Sequence, residues 1–565
     1  MVGRRALIVV AAIAASALAG AARAEVARAQ TPVAVDGKFE VVFDVPGADL
    51  TRADDVDLAA DFTSPAHQTT RVGGFFDGAR FRVRFSPRTP GHWRYQVRAG
   101  RRDVAAGQFD VVARAGHGRV HRDGAAPHRL VFDDGSPFYP LGENRFNVYE
   151  PRWNWQNQSI DEYLATMHKA GMNTLRLFMV VDCEDEEAPD RVQKGCLETA
   201  PGRFSPAAAA LYDRILAAAE ANDLYVIFGV WAIGFTPHET WKSWDDNPYS
   251  RARGGPLAAP NDFFTRTDVR ALQAKKLRYI AARWGWSPHL LAIDLLNEPE
   301  WDGAIPETVW IPWAEAMASV WRSIDVYGHL VTAGSVGLQW NIGSGDERPW
   351  YGSALNDLVE WHLYGKETYD VHALSTTMVH KVEETWRFDK PILVGEFAYG
   401  GEDKPLYDHT HVGIWSATFA GAGVLMHTAP PFNLDSDEPM TPERARHVAG
   451  LARFLARLSP VPHRPAQLPA SPAGTRALAL RSDDEVALWL MAPAHGYGAP
   501  LDDARVTVGD LAPGSWHVRF IDELDGSVTE DRVMTVTASR TLALAVPRFA
   551  RHVAALITRA HPTRN

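Results

Sequence analysis

The run Leu290-Leu291-Ala292-Ile293-Asp294-Leu295-Leu296 is apolar at all but one position and stops on Asn297-Glu298-Pro299. A strand covered by helices on both faces reads this way, since neither side of it meets water. Ile392-Leu393-Val394-Gly395 repeats the pattern and stops on Glu396. Outward from these two, similar runs begin near Phe138, Met172, Leu224, Leu330, Asp357 and Gly421, with amphipathic segments between them. Helix starts are legible at Ser205-Pro206 and at Thr441-Pro442-Glu443, where a hydroxyl can accept from first-turn N–H groups and proline gives up only an unused donor. Eight alternating units predict a (β/α)8 TIM barrel, an α/β fold, over residues 128–460. The other fold with this alternation, an open doubly wound sheet, calls for a Gly-rich phosphate turn after its first strand, and the sequence has none there.

The flanks have another rhythm. Residues 31–115 carry short alternating segments, among them Phe39-Glu40-Val41-Val42-Phe43 and Phe81-Arg82-Val83-Arg84-Phe85, split by Pro, Gly and Asp. They predict an N-terminal β-sandwich. A Pro- and Ala-rich linker is expected over 461–475, followed by a C-terminal β-sandwich over 476–565 with strands at 486–491 and 516–521. Residues 1–24 read as a secretory signal: Arg4-Arg5, an apolar run to about Ala19, then Ala22-Arg23-Ala24. The expectation is a secreted or periplasmic protein without a membrane span. In such a compartment Cys183 and Cys196, the chain's two cysteines, can close a disulfide that contributes about 3 kcal/mol; the alternative is two unpaired thiols.

Composition narrows the partners. A net charge of -11 speaks against nucleic acid, whose phosphates are met by clustered Lys and Arg. Nineteen Trp and fifteen Tyr supply flat faces of the kind pyranose rings stack on, though most such rings pack in cores. The acidic run Asp182, Glu184, Asp185, Glu186 and Glu187 lacks the alternating spacing and Gly of a calcium loop and reads as a solvated face. No Gly-x-Ser-x-Gly elbow and no His-Glu-x-x-His pair occurs, so no metal or cofactor is expected.

In a (β/α)8 barrel the chemistry sits at the carboxyl ends of the strands, which makes Glu298 and Glu396 the candidates. The interval between them holds three strand–helix units of about 33 residues, placing them on strands four and seven. Two carboxyls facing each other at about 5–5.5 Å define retaining glycosidases, where one protonates the leaving oxygen and the other attacks the anomeric carbon.

With these residues in view, the chain resembles the clan A glycoside hydrolases, the cellulase superfamily, through Asn297-Glu298-Pro299 and the strand-seven Glu396. Asn247-Pro248-Tyr249, Gly254-Gly255-Pro256-Leu257, Phe263-Phe264-Thr265 and Leu277 to Gly285 are similar to its cellulase-like barrels, and Arg84 to Tyr95 resembles the immunoglobulin-like domain of unknown function that precedes them. The resemblance implies Glu298 as acid/base, Glu396 as nucleophile, and Asn297 as a partner of the sugar 2-hydroxyl. It further implies that Arg176 holds Glu396 ionised and that His362 and Tyr364 line the site, with Asn144 and His427 also facing substrate. Strand eight departs from the family in reading Val424-Leu425-Met426-His427-Thr428, without the usual Trp. The stacking ring is then sought at Trp231, or at Trp153 and Trp155. The reading is a retaining glycoside hydrolase cleaving β-type O-glycosidic bonds of an oligosaccharide or polysaccharide by double displacement. Its rivals are a non-catalytic carbohydrate-binding protein and a transglycosylase.

Overall fold

A computed structural model describes residues 26–28, 32–114, 116–145, 158–179, 196–232, 234–235, 244–300, 305–335, 348–365, 370–399, 407–427 and 440–560. The signal segment, Cys183, the 182–187 acidic run, Trp153 and Trp155 lie outside the described residues.

Eight parallel strands form the central sheet: β1 (Leu141–Arg145), β2 (Thr174–Phe178), β3 (Tyr225–Trp231), β4 (Leu290–Asn297), β5 (Leu330–Gly334), β6 (Val359–Gly365), β7 (Ile392–Tyr399) and β8 (Ala422–His427). β8 pairs with β1. The remaining seam closes where the His362 N–H donates to the Ser335 carbonyl at 3.0 Å, bridging β5 to β6. Every strand expected from the apolar runs is present and starts within a few residues of its expected position. Ser205 and Thr441 cap the helices Pro206–Ala221 and Pro442–Leu455 by accepting from Ala208 and Arg444 N–H groups. A small antiparallel sheet, Val120–Arg122, Leu130–Phe132 and Pro137–Phe138, precedes β1. Its Leu130 and Phe138 pack with Tyr225, Ile227, Leu291 and Leu393. These residues lie at or near the strand starts, so the end of the barrel opposite the site is plugged.

In the N-terminal region, Thr69–Phe76 pairs with Leu58–Thr63 through its first half and with Phe81–Phe85 through Gly74–Phe76. The sheet thereby turns back over an aromatic core in which Phe39 stacks on Phe109 at 3.7 Å and Phe62 on Phe85 at 4.0 Å. Arg84 ties this core to the barrel, donating to Asp213 at 2.7 Å, and Asp213 also accepts from Arg283 and Trp284. The C-terminal region has a six-stranded and a three-stranded antiparallel sheet. The expected linker over 461–475 differs from the sequence expectation in holding two short strands. Arg464–Gln467 forms the edge strand beside Arg476–Arg481, and Ala470–Ser471 pairs with Arg505–Val506. An edge position tolerates Pro465, whose missing N–H leaves no ladder bond unmade.

Candidate active site

Arg176 is the hub. It rises from β2 with no exposed surface and spends its guanidinium on five side chains. Nη1 donates to Glu396 Oε1 and to Asn144 Oδ1, each at 2.8 Å. Nη2 donates to Asn297 Oδ1 at 2.7 Å and to Asp294 Oδ2 at 2.5 Å. Its Nε lies 2.9 Å from Glu360 Oε1. A planar fork of five N–H groups suits this work, which an ammonium could not do.

Glu396, on β7, receives a second donor from the Tyr364 hydroxyl on β6. Burial pushes its carboxyl up, but the charges of His362, of His427 in its acid form and of Arg176, together with the Tyr364 bond, outweigh burial and hold it near about 2. It is therefore an anion across the working range. His362 lies between the two glutamates, bonded through Nδ1 to Glu298 Oε1 and 3.8 Å from Glu396 Oε2. Burial alone would discharge this imidazole; the carboxylates of Glu396 and Glu298 instead raise it to about 10. Glu298 adopts φ 41°, in the left-handed region that side chains rarely occupy. Its N–H donates to Gly334 O at 3.0 Å, and this turn out of β4 carries the carboxyl toward His362. One oxygen from Glu298, one from Glu396 and a His362 nitrogen all lie within 4.8 Å of one another.

Such a triad has donors for a divalent ion. The His362 Nδ1–H bond to Glu298 already joins two of the three ligands, however, and the imidazolium charge repels a cation, so the arrangement suits proton handling better.

Sequence reasoning left Asp294 and Glu360 without roles. Both are fully buried and flank Arg176. Burial, with the like charge of Glu360, raises Asp294 to about 7 against the pull of Arg176. Gly395 makes room for Glu360: a Cβ there would fall 2.2 Å from Glu360 Oε1. The signal was available, since a lone acid inside an apolar parallel strand is rarely buried without a partner. Trp231 requires a correction. Its ring is fully buried, edge-to-face on Trp313 at 5.2 Å and Phe263 at 5.9 Å, with the Lys276 ammonium 5.1 Å from its centroid. It points from β3 into the surrounding helices and has no face for a sugar. Cys196 is disulfide-bonded.

The geometry has counterparts. The family pattern "Cellulase (glycosyl hydrolase family 5)" matches residues 133–426, which contain every residue of this cluster except His427. The chain belongs to glycosyl hydrolase family 5. A second pattern, the domain of unknown function DUF5060, matches residues 34–100. Among curated relatives, the Aspergillus oryzae protein named probable mannan endo-1,4-beta-mannosidase F is 26% identical over 239 residues, 40% of this chain and 48% of that one. Mannan endo-1,4-beta-mannosidase A of Hypocrea jecorina is 24% identical over 247 residues, 41% and 52% of the two chains. The chain thus spans about half the length of the curated relatives it matches. A solved structure from Bacteroides vulgatus superposes with a TM-score of 0.66 at 16% identity, covering 94% of this chain and all of that one. A glycoside hydrolase family 5 structure from the same organism gives 0.53 at 14% identity, covering 79% and 94%. At such identities these superpositions speak for the fold.

Proposed function

We propose that this family 5 chain is a retaining glycoside hydrolase that cleaves β-linked polysaccharide, with β-1,4-mannan the first substrate to try. The observation that carries the mechanism is the placing of Glu298 and Glu396 oxygens within 4.8 Å of each other. That distance leaves no room for the water an inverting enzyme holds between more widely spaced carboxyls. Glu396, ionised, attacks the anomeric carbon. As the glycosidic bond breaks, Glu298 gives the departing oxygen the proton it shares with His362. The resulting ester is resolved when Glu298 takes a proton from water and the hydroxide oxygen bonds the same carbon. Asn297, fixed by Arg176, is read as the partner of the 2-hydroxyl, and Tyr364 as the donor that steadies Glu396. The mannan reading is supported by the names of the relatives.

We read residues 31–115 and 476–565 as β-sandwich modules bracing a barrel over 128–460. Among the described residues, the large apolar side chains that stand exposed are six valines and Leu50, which offer no stacking ring to a glycan. Export after cleavage of residues 1–24 is part of the same reading, and among the described residues no helix is long and apolar enough to cross a membrane. Proton NMR of a β-mannan digest tests the mechanism: the β-anomer must appear first, and initial release of the α-anomer refutes double displacement. Affinity for glycans without new reducing ends from any of a panel of plant, bacterial and algal polysaccharides would favour the binding protein instead.

A further inference from the structure

His427, at the end of β8, is tied to the hub by a chain of hydrogen bonds whose directions are all determined. Arg176 can only donate, so the atom of Asn144 that meets Nη1 at 2.8 Å is its oxygen. The amide nitrogen of Asn144 then faces His427 Nδ1 at 2.9 Å, and an amide nitrogen can only donate. Nδ1 must therefore accept, so the proton of the neutral ring sits on Nε2. The 3.8 Å gap between His427 Nδ1 and Glu396 Oε2 agrees with this, being too long for Nδ1 to donate to that carboxylate. Among the described residues Nε2 bonds to nothing, and it is not one of the buried polar atoms left unpaired. The side chain keeps 13% of its surface open, beside the nucleophile and edge-on to the Tyr364 ring at 5.8 Å.

We propose that His427 is locked as the Nε2–H tautomer and offers that N–H to an oxygen of the sugar bound over Glu396, making it a specificity-determining residue. This rests on the glycosidase reading above. A sugar held here is gripped by one of its hydroxyls or its ring oxygen through a neutral donor, without an aromatic face at this position. The lock also couples recognition to the nucleophile, since one Arg176 nitrogen, Nη1, fixes both Glu396 and the amide that sets the tautomer.

Two measurements test the proposal. Selective 15N-histidine labelling reads the tautomer without any substrate: near neutrality His427 should give a pyrrole-type Nε2 signal and a pyridine-type Nδ1 signal. Protonation at Nδ1 overturns the proposal. With β-1,4-manno-oligosaccharides, His427→Leu should lower kcat/KM about tenfold, the loss of one hydrogen bond. His427→Gln, whose amide nitrogen reaches about as far as Nε2, should stay within about threefold of the parent, and His427→Asn should behave like the Leu variant. Equal activity in the Leu variant and the parent overturns the proposal while leaving the glycosidase reading intact. A parent enzyme that neither cleaves nor binds any glycan in the panel overturns both, and the absence of turnover distinguishes that outcome.

Discussion

Removing the Arg176 guanidinium should damage stability and chemistry together, in proportions that the structure sets. Arg176→Met leaves Asp294, Glu360 and Glu396 facing one another in the barrel interior with His362 as the remaining cation. Breaking a buried ion pair on one side costs about 3–5 kcal/mol, which for a domain of this size lowers Tm by about 5–15 °C. The chemical effect follows from Glu396. Its carboxyl is depressed from 4.5 to about 2, and loss of an adjacent cation raises such a group by about 1–3 units. Only the ionised form attacks, so the acid limb of kcat/KM should move up by that amount. A depressed carboxylate stabilises the fold above its unfolded value and loses that contribution as pH falls through its folded value. The Tm gap between parent and variant should therefore be widest near pH 7 and narrow below about pH 4.5. Arg176→Lys retains the charge without the fork, so it should keep the acid limb within about one unit of the parent while still melting early. Scanning calorimetry and pH–rate profiles on the three proteins decide the matter. An Arg176→Met enzyme with parental Tm and an unmoved acid limb would refute the reasoning.

Tyr364→Phe removes one donor to Glu396 and should lower kcat roughly 10-fold with a smaller rise in the acid limb, measured by the same profiles; an unchanged kcat counts against Tyr364 as a steadying donor. At the seam with the C-terminal region, His411 stacks on His552 at 3.8 Å and 8°, so no single ion lies in both ring planes. His552 pairs with Glu523 at 2.8 Å, and His447 lies 3.1 Å from His411. Glu523 also accepts from Trp489, while Asp408 stands 3.2 Å from Arg551 and 3.9 Å from His552. Burial lowers His411 to about 4 and His447 to about 3, so the unfolded chain binds their protons first. Stability should fall from about pH 6.5 toward pH 4, by up to about 1.4 kcal/mol per unit for each ring. His447→Gln should flatten the thermal melting profile over that range, and an identical profile rules the cluster out as its cause. Burial works against His552, yet Glu523 and Asp408 raise it to about 9; its contribution is full below 6.5 and lost as pH rises through about 9. Cys196→Ser should cost about 3 kcal/mol by denaturant titration if its disulfide closes a short loop, and an unchanged midpoint excludes this.

The barrel was legible because its strands are buried on both faces and end abruptly on polar residues, a pattern that needs no tertiary information. The site was legible only as far as strand ends go. Which side of the sheet a terminal residue takes depends on the pleat, and a one-residue slip reverses it. Register shifts occur between Asp294 and Asn297, between Trp361 and His362, and between Val394 and Phe397, next to the residues that make the site. They bring both Asp294 and Asn297 to Arg176, which strict alternation forbids. Trp231 shows the opposite failure: it ends β3 as Glu396 follows the apolar run of β7, but its side chain turns outward. Glu360 was hidden because its meaning lies in its contact with Arg176 from another strand and with His362 two residues along its own.

Arg176, Asp294 and Glu360 come from β2, β4 and β6, alternate strands that in such barrels supply one interior layer, usually of branched apolar side chains. Here that layer is ionic, and a buried ion pair is poor insurance for stability, because desolvation offsets most of its attraction. If stability alone mattered, Leu at all three positions should serve as well. The triple variant Arg176→Leu/Asp294→Leu/Glu360→Leu should then melt at or above the temperature of Arg176→Met, since it strands no charge, and yet have almost no activity, since nothing beneath Glu396 orients it. Those two results together would assign the layer to function. A triple variant that melts well below Arg176→Met would instead make the ions structural, and one that turns over β-mannan normally would detach Arg176 from the chemistry altogether.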